Sequence, residues 1–565
     1  MASLVPRCAE QLLTPSASMR VARLSLLLPA MAVLATPAEG AMHLGVNTHF
    51  DQGWPIVALD EAESARAQSI RDTISWGKVE QAPGDYDFTA ANSGYVARAC
   101  AAHMPVLLIL TPRNKRYDNG ETVFSPLGRR AFAAFAVEIA KRFPCVTGFE
   151  IGNEINGHAL KGRMVQQMPG SYVAIVREVR AALTGQHAKV KLLSGSSLSV
   201  ATGFFDRLFG AGLLPLVDGV VIHPYVAVPE QLPGQIARLR SAMARHGGVK
   251  PIWASEFGFY YETPEDAPPH ALKMITLLSA AGIEEAHWYA LRDEKWFPNM
   301  GLFANGRGKP ALDSFRLAAQ LLASGEARRI DAGDPLTFIY RYGNGPYVMW
   351  GGGRGIGWNG AATARDARGR AVRLPSRLDA DPIIVDAPEG FSLGPSPVLA
   401  DTLTDFIGTG WSYHVSRPKG VKQPLGWIDW NWTPYLGSPA LPNFRVMGAV
   451  VTTARPPAGP APELVERFKA PAAGMAYLSA CFEGKADKPH QVRILSGGKQ
   501  IFAGRIAGAV STRPLAVNGS VEIGYSALLP GGPQPLRRRI RILTQPDASP
   551  ALCAPRGRDT DADGN

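Results

Sequence analysis

Short apolar runs alternate with longer segments of helical periodicity between about residue 42 and residue 325. These runs are apolar on both faces, as a sheet covered by helices on each side requires. We predict eight strand–helix units, the number found in a closed (β/α)8 barrel. The predicted strands begin at residues 44, 69, 105, 147, 190, 217, 251 and 285.

The pattern changes after about residue 323. Short alternating runs separated by glycine-rich turns, such as 336–342 and 346–350, predict an all-β structure. The fold class is therefore α/β: a (β/α)8 TIM barrel followed by all-β domains. We predict a barrel over 42–325, a small β domain packed on it over 326–399, a β-sandwich over 400–547 and a disordered tail over 548–565.

The first residues have the features of a secretory signal peptide. Met19–Arg23 is basic, the next twelve or so residues are apolar, and small residues follow up to Ala41. We predict a signal peptide over 1–41, with a possible start at Met19. An uncleaved membrane anchor is the alternative, although the apolar run is short for a span. The expected location is therefore secreted or periplasmic, without stable membrane insertion.

Composition limits the partners. The chain has 565 residues, of which 46% are hydrophobic and 19% charged, and its formal net charge is +11. This charge is modest for the length, so we expect no nucleic-acid binding, and an acidic polysaccharide fits it better. The histidines and cysteines are scattered without metal-ligand spacing, so we expect no metal and no cofactor. Cys481 and Cys553 could pair, with buried free thiols as the alternative; the oligomeric state stays open.

Polar and aromatic side chains stand where the predicted strands end, and barrel enzymes place their sites at that face. The fourth strand ends at Asn153-Glu154 and the seventh at Glu256. Two carboxylates facing each other across a barrel mouth are what glycoside hydrolysis requires. We expect Glu150 to lie among the barrel layers or helices, outside the site. The remaining substrate-binding candidates at these ends are Asn47, His49, Arg71, Trp76, His223, Tyr225, Trp288 and Tyr289.

The two glutamates have different expected roles. Glu154 would protonate the leaving oxygen and then deprotonate water, and we expect partial burial to raise its pKa. Glu256 would attack the anomeric carbon and must stay ionised. Arg71 would keep it so by charge and hydrogen bonding.

The other strand ends supply binding and orientation. Asn153 would bond the 2-hydroxyl group of the sugar. His223 and Tyr225 would orient the nucleophile. Trp288 or Tyr289 would form a platform for a sugar ring, and strand alternation lets only one of the two face the mouth.

These residues resemble the motifs of clan A glycoside hydrolases. The resemblance lies in Ile70-Arg71-Asp72 with Trp76, Gly152-Asn153-Glu154, Ile222-His223-Pro224-Tyr225, Trp253-Ala254-Ser255-Glu256-Phe257-Gly258 and the last strand, 286–293. Within the clan the chain is most similar to family 39 and its relatives in bacterial exopolysaccharide gene clusters, over about residues 42–390, which makes 42–325 the expected catalytic barrel. The region 400–547 resembles a carbohydrate-binding-like sandwich and matches no particular family. The resemblance implies retention, with the acid/base after the fourth strand and the nucleophile after the seventh. One departure is Ile155 where Asn-Glu-Pro is usual.

We therefore predict an O-glycosyl hydrolase that cleaves a polysaccharide, with a bacterial exopolysaccharide as the expected substrate, by double displacement with retention. Two alternatives stay open. One is a catalytically silent carbohydrate-binding protein of a polysaccharide export or matrix complex. The other is a transglycosidase that uses the same residues. The sugar, the linkage and endo or exo action are not determined by the sequence.

Overall fold

The computed structural model describes residues 40–90, 92–407, 410–417, 421–455, 461–469, 475–528 and 532–546. The predicted tail and all but the last two residues of the predicted signal peptide lie outside these ranges. Among the described helices, none combines the length and hydropathy needed to cross a bilayer.

Eight parallel strands form the barrel. They are β1 His43–Asn47, β2 Ile70–Thr73, β3 Val106–Leu110, β4 Val146–Ile151, β5 Lys191–Leu193, β6 Val220–His223, β7 Ile252–Phe257 and β8 Glu285–Trp288. Pairing runs from β1 through β2, β3 and β4 to β5, and from β1 through β8 and β7 to β6. A parallel bridge between Leu193 and Gly219 joins β5 to the segment before β6 and closes the ring. A two-residue strand, Ser197–Leu198, also pairs with β6. The predicted barrel is confirmed.

A helix follows each barrel strand. In chain order these helices are Ala58–Ser64, Tyr95–Ala101, Pro126–Arg142, Gly170–Gly185, Thr202–Gly210, Leu232–Arg245, Ala267–Ala280 and Pro310–Ala323. Shorter helices are Trp76–Val79 and Arg163–Gln166, and the 3-10 turns are Phe50–Gln52, Asp118–Gly120, Leu214–Leu216, Pro229–Gln231 and Pro264–Asp266. Two hairpins extend the loops: Glu80–Ala82 with Asp85–Tyr86, and Phe303–Ala304 with Arg307–Gly308.

Helix Pro126–Arg142 shows why these segments are helical. Ser125 lies before its first turn, and its side-chain oxygen accepts a hydrogen bond from the Gly128 amide at 3.0 Å. Buried Phe132, Phe135 and Ile139 recur at helical spacing and pack toward the strands. The main core of the barrel therefore lies between the strands and the helices. A small inner cluster of Leu107, Leu193, Val221 and Trp253 fills the interior.

A disulfide joins Cys100 to Cys145, and it ties helix Tyr95–Ala101 to the residue that precedes β4. The sequence did not lead us to predict this pair. Scattered spacing in the sequence did not show it, because the fold brings together residues 45 positions apart. The suggested pairing of Cys481 with Cys553 involves a residue outside the described part of the chain.

The small β domain has its own sheet and its own core. Its strands, in sheet order, are Ala327–Arg329, Thr337–Tyr342, Tyr347–Gly351, Ile383–Asp386, Thr363–Arg365 and Ala371–Val372. Ile356–Trp358 pairs with Phe391–Leu393 beside that sheet. The core includes Ile339, Met349, Leu378 and Val385, which are almost completely buried.

The last region is a β-sandwich. One sheet holds, in order, Gly426–Ile428, Tyr435–Ser438, Leu441–Val446, Val450–Thr453, Gln534–Leu543, Ala476–Gly484 and Gly508–Ser511. Two further strands join it: Val398–Asp401 pairs with Gln534–Leu543, and Leu515–Val517 pairs with Ala476–Gly484. The other holds Lys422–Pro424, Trp411–Ser416, Glu463–Lys469, Ser520–Ala527, His490–Ser496 and Lys499–Ile506. Alternate positions of Gln534–Leu543 are buried, as a strand facing a core requires. The predicted all-β regions are confirmed.

The sandwich contacts the barrel close to its mouth. Arg238 and Asp429 form an ion pair at 2.8 Å. The Asn156 amide donates to the Asn431 carbonyl at 2.6 Å, and the Gln231 amide donates to the Leu403 carbonyl at 2.7 Å. The loop 429–434, which we call the sandwich loop, therefore lies beside the loop that follows β4.

Candidate active site

The Arg71 guanidinium lies at the centre of the barrel mouth, and all its donors are used. An arginine has five N–H donors. Two bond Glu150, at 2.9 Å from Nε and 2.9 Å from Nη2. The other three reach Asn47, Glu256 and Asn153, each at 2.7 Å. Five acceptors from β1, β4, β7 and the β4 loop thus match five donors, and the guanidinium orients all four side chains.

Glu256 is buried at the end of β7 with two hydrogen-bond donors. Arg71 bonds its Oε1 atom at 2.7 Å, and the Tyr225 hydroxyl donates to Oε2 at 2.5 Å. Burial alone would raise the pKa of this carboxyl. Attraction to His223 and Arg71, together with these hydrogen bonds, outweighs burial and lowers the pKa below its ordinary value. Glu256 is therefore held ionised, as a nucleophile must be.

Glu154 lies on the loop after β4, and its side chain is 33% exposed. Its φ of 45° is in the left-handed region, which a residue other than glycine rarely adopts. The Ser196 hydroxyl accepts from the Glu154 amide at 2.9 Å and thereby fixes this backbone. One carboxylate oxygen of Glu154, one of Glu256 and a ring nitrogen of His223 all lie within 4.8 Å of one another.

His223 connects the two carboxylates. Its Nδ1 atom is 3.2 Å from Oε1 of Glu154 and 3.5 Å from Oε2 of Glu256, and its Nε2 atom is 3.0 Å from the Ser255 hydroxyl. Among the described residues, Glu154, His223 and Glu256 also have the donor types and spacing that could hold a metal ion. The nearby Arg71 charge opposes a second cation there, so the arrangement suits proton transfer and nucleophilic attack better.

A cavity of about 470 Å³ opens above these residues, within the size range of small-molecule sites. Asn47, His49, Asn153, Tyr225 and Tyr289 line it beside the two glutamates and Arg71. His223 lies beneath it and contacts both carboxylates. The structure thus brings together nine of the eleven predicted site residues.

Two predicted site residues, Trp76 and Trp288, are buried in the core and do not line the cavity. Strand β2 ends at Thr73, and Trp76 begins a short helix that turns its indole into the core. That indole is 1% exposed and stacks on Tyr117 with ring centroids 5.0 Å apart. Trp288 ends β8 and is fully buried, with its Nε1 donating to the Met300 carbonyl at 2.9 Å. Because side chains alternate in direction along a strand, the next residue, Tyr289, faces the mouth and lines the cavity. Of the predicted pair Trp288 and Tyr289, Tyr289 is therefore the one at the site.

Sequence reasoning missed Glu150, a second counterion of Arg71. Its side chain is fully buried inside the barrel, and it accepts two of the five guanidinium hydrogen bonds. The available signal was a charged residue within an apolar strand, because a buried carboxylate requires a buried cation. Arg71 was that cation.

Two other groups modify the cavity electrostatics. Burial raises the pKa of Asp72 to about 7, although the Thr73 and Phe50 amides and the Thr48 hydroxyl bond it and oppose the rise. Burial also lowers the pKa of His49, and the attraction to Glu256 does not compensate. The His49 ring is therefore mainly neutral at pH 7. Its Nδ1 atom lies 2.7 Å from the Gln52 side-chain amide, and among the described residues its Nε2 atom has no hydrogen-bond partner.

This closed eight-stranded barrel, with Glu154 after the fourth strand and Glu256 near the end of the seventh, shares its fold with a solved family 39 glycoside hydrolase. A family 39 glycoside hydrolase from the gut symbiont Bacteroides cellulosilyticus WH2 superposes with a TM-score of 0.51 at 18% identity, over 62% of this chain and 81% of that chain. At that identity the likeness shows the fold.

The matching solved structures also include two GH39 enzymes with lower TM-scores. A GH39 enzyme from Xanthomonas axonopodis pv. citri has a TM-score of 0.42 at 14% identity, over 87% of this chain and 95% of its own. A GH39 β-xylosidase from Caulobacter crescentus has a TM-score of 0.43 at 16% identity, over 64% of this chain and 95% of that chain. No protein-family model and no curated protein sequence matches the chain.

Proposed function

We propose that this chain is a retaining glycoside hydrolase, with Glu256 as the nucleophile and Glu154 as the acid/base. One observation carries the proposal: oxygens of the two carboxylates lie within 4.8 Å of each other at the wall of the cavity. Inverting enzymes separate their carboxyl groups by roughly 6.5–9.5 Å to admit a water, whereas retaining enzymes hold them about 5–5.5 Å apart. The arrangement here favours retention.

In the first step Glu256 attacks the anomeric carbon, while Glu154 gives its proton to the glycosidic oxygen. The bond between that carbon and that oxygen breaks, and a glycosyl ester forms on Glu256. Arg71 and Tyr225 keep one carboxylate oxygen each in place during the attack. Both groups act on the nucleophile, so they are positioning residues.

In the second step Glu154, now ionised, takes a proton from water, and the water oxygen attacks the anomeric carbon and releases Glu256. The partial exposure of Glu154 gives water access to its carboxylate. Asn153 lines the cavity next to Glu154, and its amide oxygen accepts from Arg71, so its NH2 group is directed away from the guanidinium. That NH2 group can donate to the 2-hydroxyl of the sugar.

The substrate class proposed is a polysaccharide, with a bacterial exopolysaccharide as the first choice, and the location proposed is outside the cytoplasm. The Cys100–Cys145 disulfide supports the location, because such bonds persist in oxidising compartments. The basic net charge of +11 supports an acidic polymer.

The test is proton NMR of the first product formed from 2,4-dinitrophenyl β-glycosides of xylose, mannose, glucose and glucuronic acid. We expect a product with the anomeric configuration of the substrate. Glu256→Ala should abolish turnover, and azide should restore it with a glycosyl azide of opposite configuration. An inverted product from the wild type would contradict the role of Glu256.

The same assays separate the alternatives. A wild-type protein that binds oligosaccharides but turns over none of the panel would be a carbohydrate-binding protein. Products longer than an oligosaccharide substrate would indicate a transglycosidase.

A further inference from the structure

A second cavity, which we call the interdomain groove, lies between the barrel and the sandwich. Its volume is about 210 Å³. The barrel contributes the segment after β6 and the helix Leu232–Arg245, and the sandwich contributes Phe406, Trp427 and Pro434. Neither domain could form this groove alone.

The interdomain groove adjoins the catalytic cavity. Tyr225 and Phe259 line both, and Leu198 on the catalytic side is followed directly by Ser199 on the groove side. Tyr225 is also the residue whose hydroxyl bonds Glu256. The two cavities are therefore neighbours, with Tyr225 and Phe259 at their shared border.

The position of Glu154 indicates which end of the saccharide enters. The acid must face the oxygen of the leaving group, so the leaving group extends on the side of Glu154. On that side the sandwich loop contacts the β4 loop. A Cβ atom on Gly157 would lie 3.8 Å from the Trp432 ring, and the Asn156 amide bonds Asn431. The sandwich loop thus extends from the β4 loop to the groove, whose lining includes Thr433 and Pro434.

The walls of the groove have the chemistry of a sugar site. Trp427 is half-buried, and the Arg238 guanidinium lies 4.1 Å from its ring centroid. The Arg238 Nε atom and the Ser199 hydroxyl are buried, and among the described residues neither has a hydrogen-bond partner. Unpartnered buried polar atoms are uncommon in folded proteins, and here two of them belong to residues that line one groove. Aromatic surface combined with free polar groups suits a sugar ring with its hydroxyls.

We propose that the interdomain groove is a subsite for a sugar residue on the leaving-group side of the scissile bond. This inference rests on the proposed hydrolase function and extends it. The sandwich is then part of the substrate site, and the enzyme prefers oligosaccharides and polysaccharides that carry a sugar in the leaving group to substrates with a small aglycone.

The test is a substitution whose side chain would fill the groove. Gly234 lines it from helix Leu232–Arg245, and a Cβ atom there would lie 3.8 Å from Ile407, an ordinary contact. Gly234→Phe should therefore be accommodated, with its ring placed in the groove. The matched control is Ala237→Phe, an exposed position on the same helix.

Rates are compared on 4-nitrophenyl β-glycosides and on the matching β-linked tetrasaccharides of xylose, mannose and glucose. Gly234→Phe should lower kcat/KM for the tetrasaccharide by about tenfold or more, roughly 1.4 kcal/mol. The aryl glycoside should change less than twofold, and Ala237→Phe should leave both rates unchanged. Equal effects of Gly234→Phe on both substrates would overturn the proposal.

If the wild type turns over no substrate, the hydrolase proposal fails. Oligosaccharide binding can still test the groove as a subsite. Calorimetric titration of the same tetrasaccharides into the wild type and Gly234→Phe then measures the groove directly. Weaker binding by Gly234→Phe alone supports a saccharide subsite. Equal binding by the two proteins, or none by either, refutes it.

Discussion

Replacing Arg71 by lysine keeps the charge but removes the planar set of donors. A lysine ammonium has three N–H donors against the five that Arg71 uses, so at least two buried acceptors lose a partner. Hydrogen bonds to charged groups contribute about 1.5–3 kcal/mol each, so Arg71→Lys should lower the free energy of unfolding by about 3–6 kcal/mol. Urea denaturation monitored by tryptophan fluorescence measures this loss.

The same substitution should move the pH profile. The Glu256 pKa is depressed in the folded state, so its ionised form stabilises the fold above the unfolded pKa of about 4.3. That contribution is lost as the pH falls through the folded pKa. With weaker hydrogen bonding in Arg71→Lys, the Glu256 pKa should rise, and the acidic limb of kcat/KM should shift to higher pH.

A matched control is Arg180→Lys. Arg180 forms a partly exposed ion pair with Asp218 at 2.8 Å, with side chains 27% and 42% exposed. Such a pair contributes about 0–1 kcal/mol, so the control should unfold near the wild-type urea concentration. If Arg71→Lys matched this control in stability and kept the wild-type acidic limb, the account of Arg71 as the organising residue would be refuted.

Three further predictions follow from the site and the fold. Glu154→Ala should slow substrates with poor leaving groups by about 10²–10⁴-fold while largely sparing dinitrophenyl glycosides, and parallel kinetics on both classes check this. Because the Asp72 pKa is raised from 3.8 to about 7, the folded state binds more protons than the unfolded state between these values. Stability should therefore fall as the pH rises from about 4 to about 7, and denaturation curves of Asp72→Asn should show a flatter dependence. Replacing Cys100 and Cys145 by serine should cost about 4 kcal/mol for a loop of 45 residues, measured by urea denaturation without reductant; an unchanged midpoint would contradict it.

The sequence pattern located the strand ends correctly where the strand continues to the barrel mouth. The barrel, Glu154, Glu256 and Arg71 followed from apolar runs that stop at polar residues, because parallel strands bring their C-terminal ends to one face. Trp76 was misassigned because the strand stops three residues earlier than the sequence pattern indicated, and a short helix then rotates the ring into the core. Periodicity does not fix an element's end to within a residue or two.

Other features depended on contacts between distant segments. Glu150 was expected among the barrel layers or helices and was left outside the site. Its partner, Arg71, is 79 positions away in the sequence, so no local pattern relates the two residues. The interdomain groove needs residues from helix Leu232–Arg245 and from the sandwich near Trp427, which no local pattern relates. From the sequence, we expected the chemistry in the barrel and mainly binding in the later β region. The contacts between Asn156 and Asn431 show that this region reaches the mouth itself.

The pairing of the first and last described strands of the sandwich affects the order in which the parts of the chain fold. Val398–Asp401 pairs with Gln534–Leu543, which also pairs with Val450–Thr453 and Ala476–Gly484. During synthesis, the barrel sequence emerges from the ribosome long before that strand does, and domains generally fold as units as they appear. The sandwich cannot complete its sheet until Leu543 is available, so the sandwich loop cannot take its place beside Glu154 before then. A nascent chain would therefore hold a folded barrel with an incomplete mouth until the residues up to Leu543 had been made.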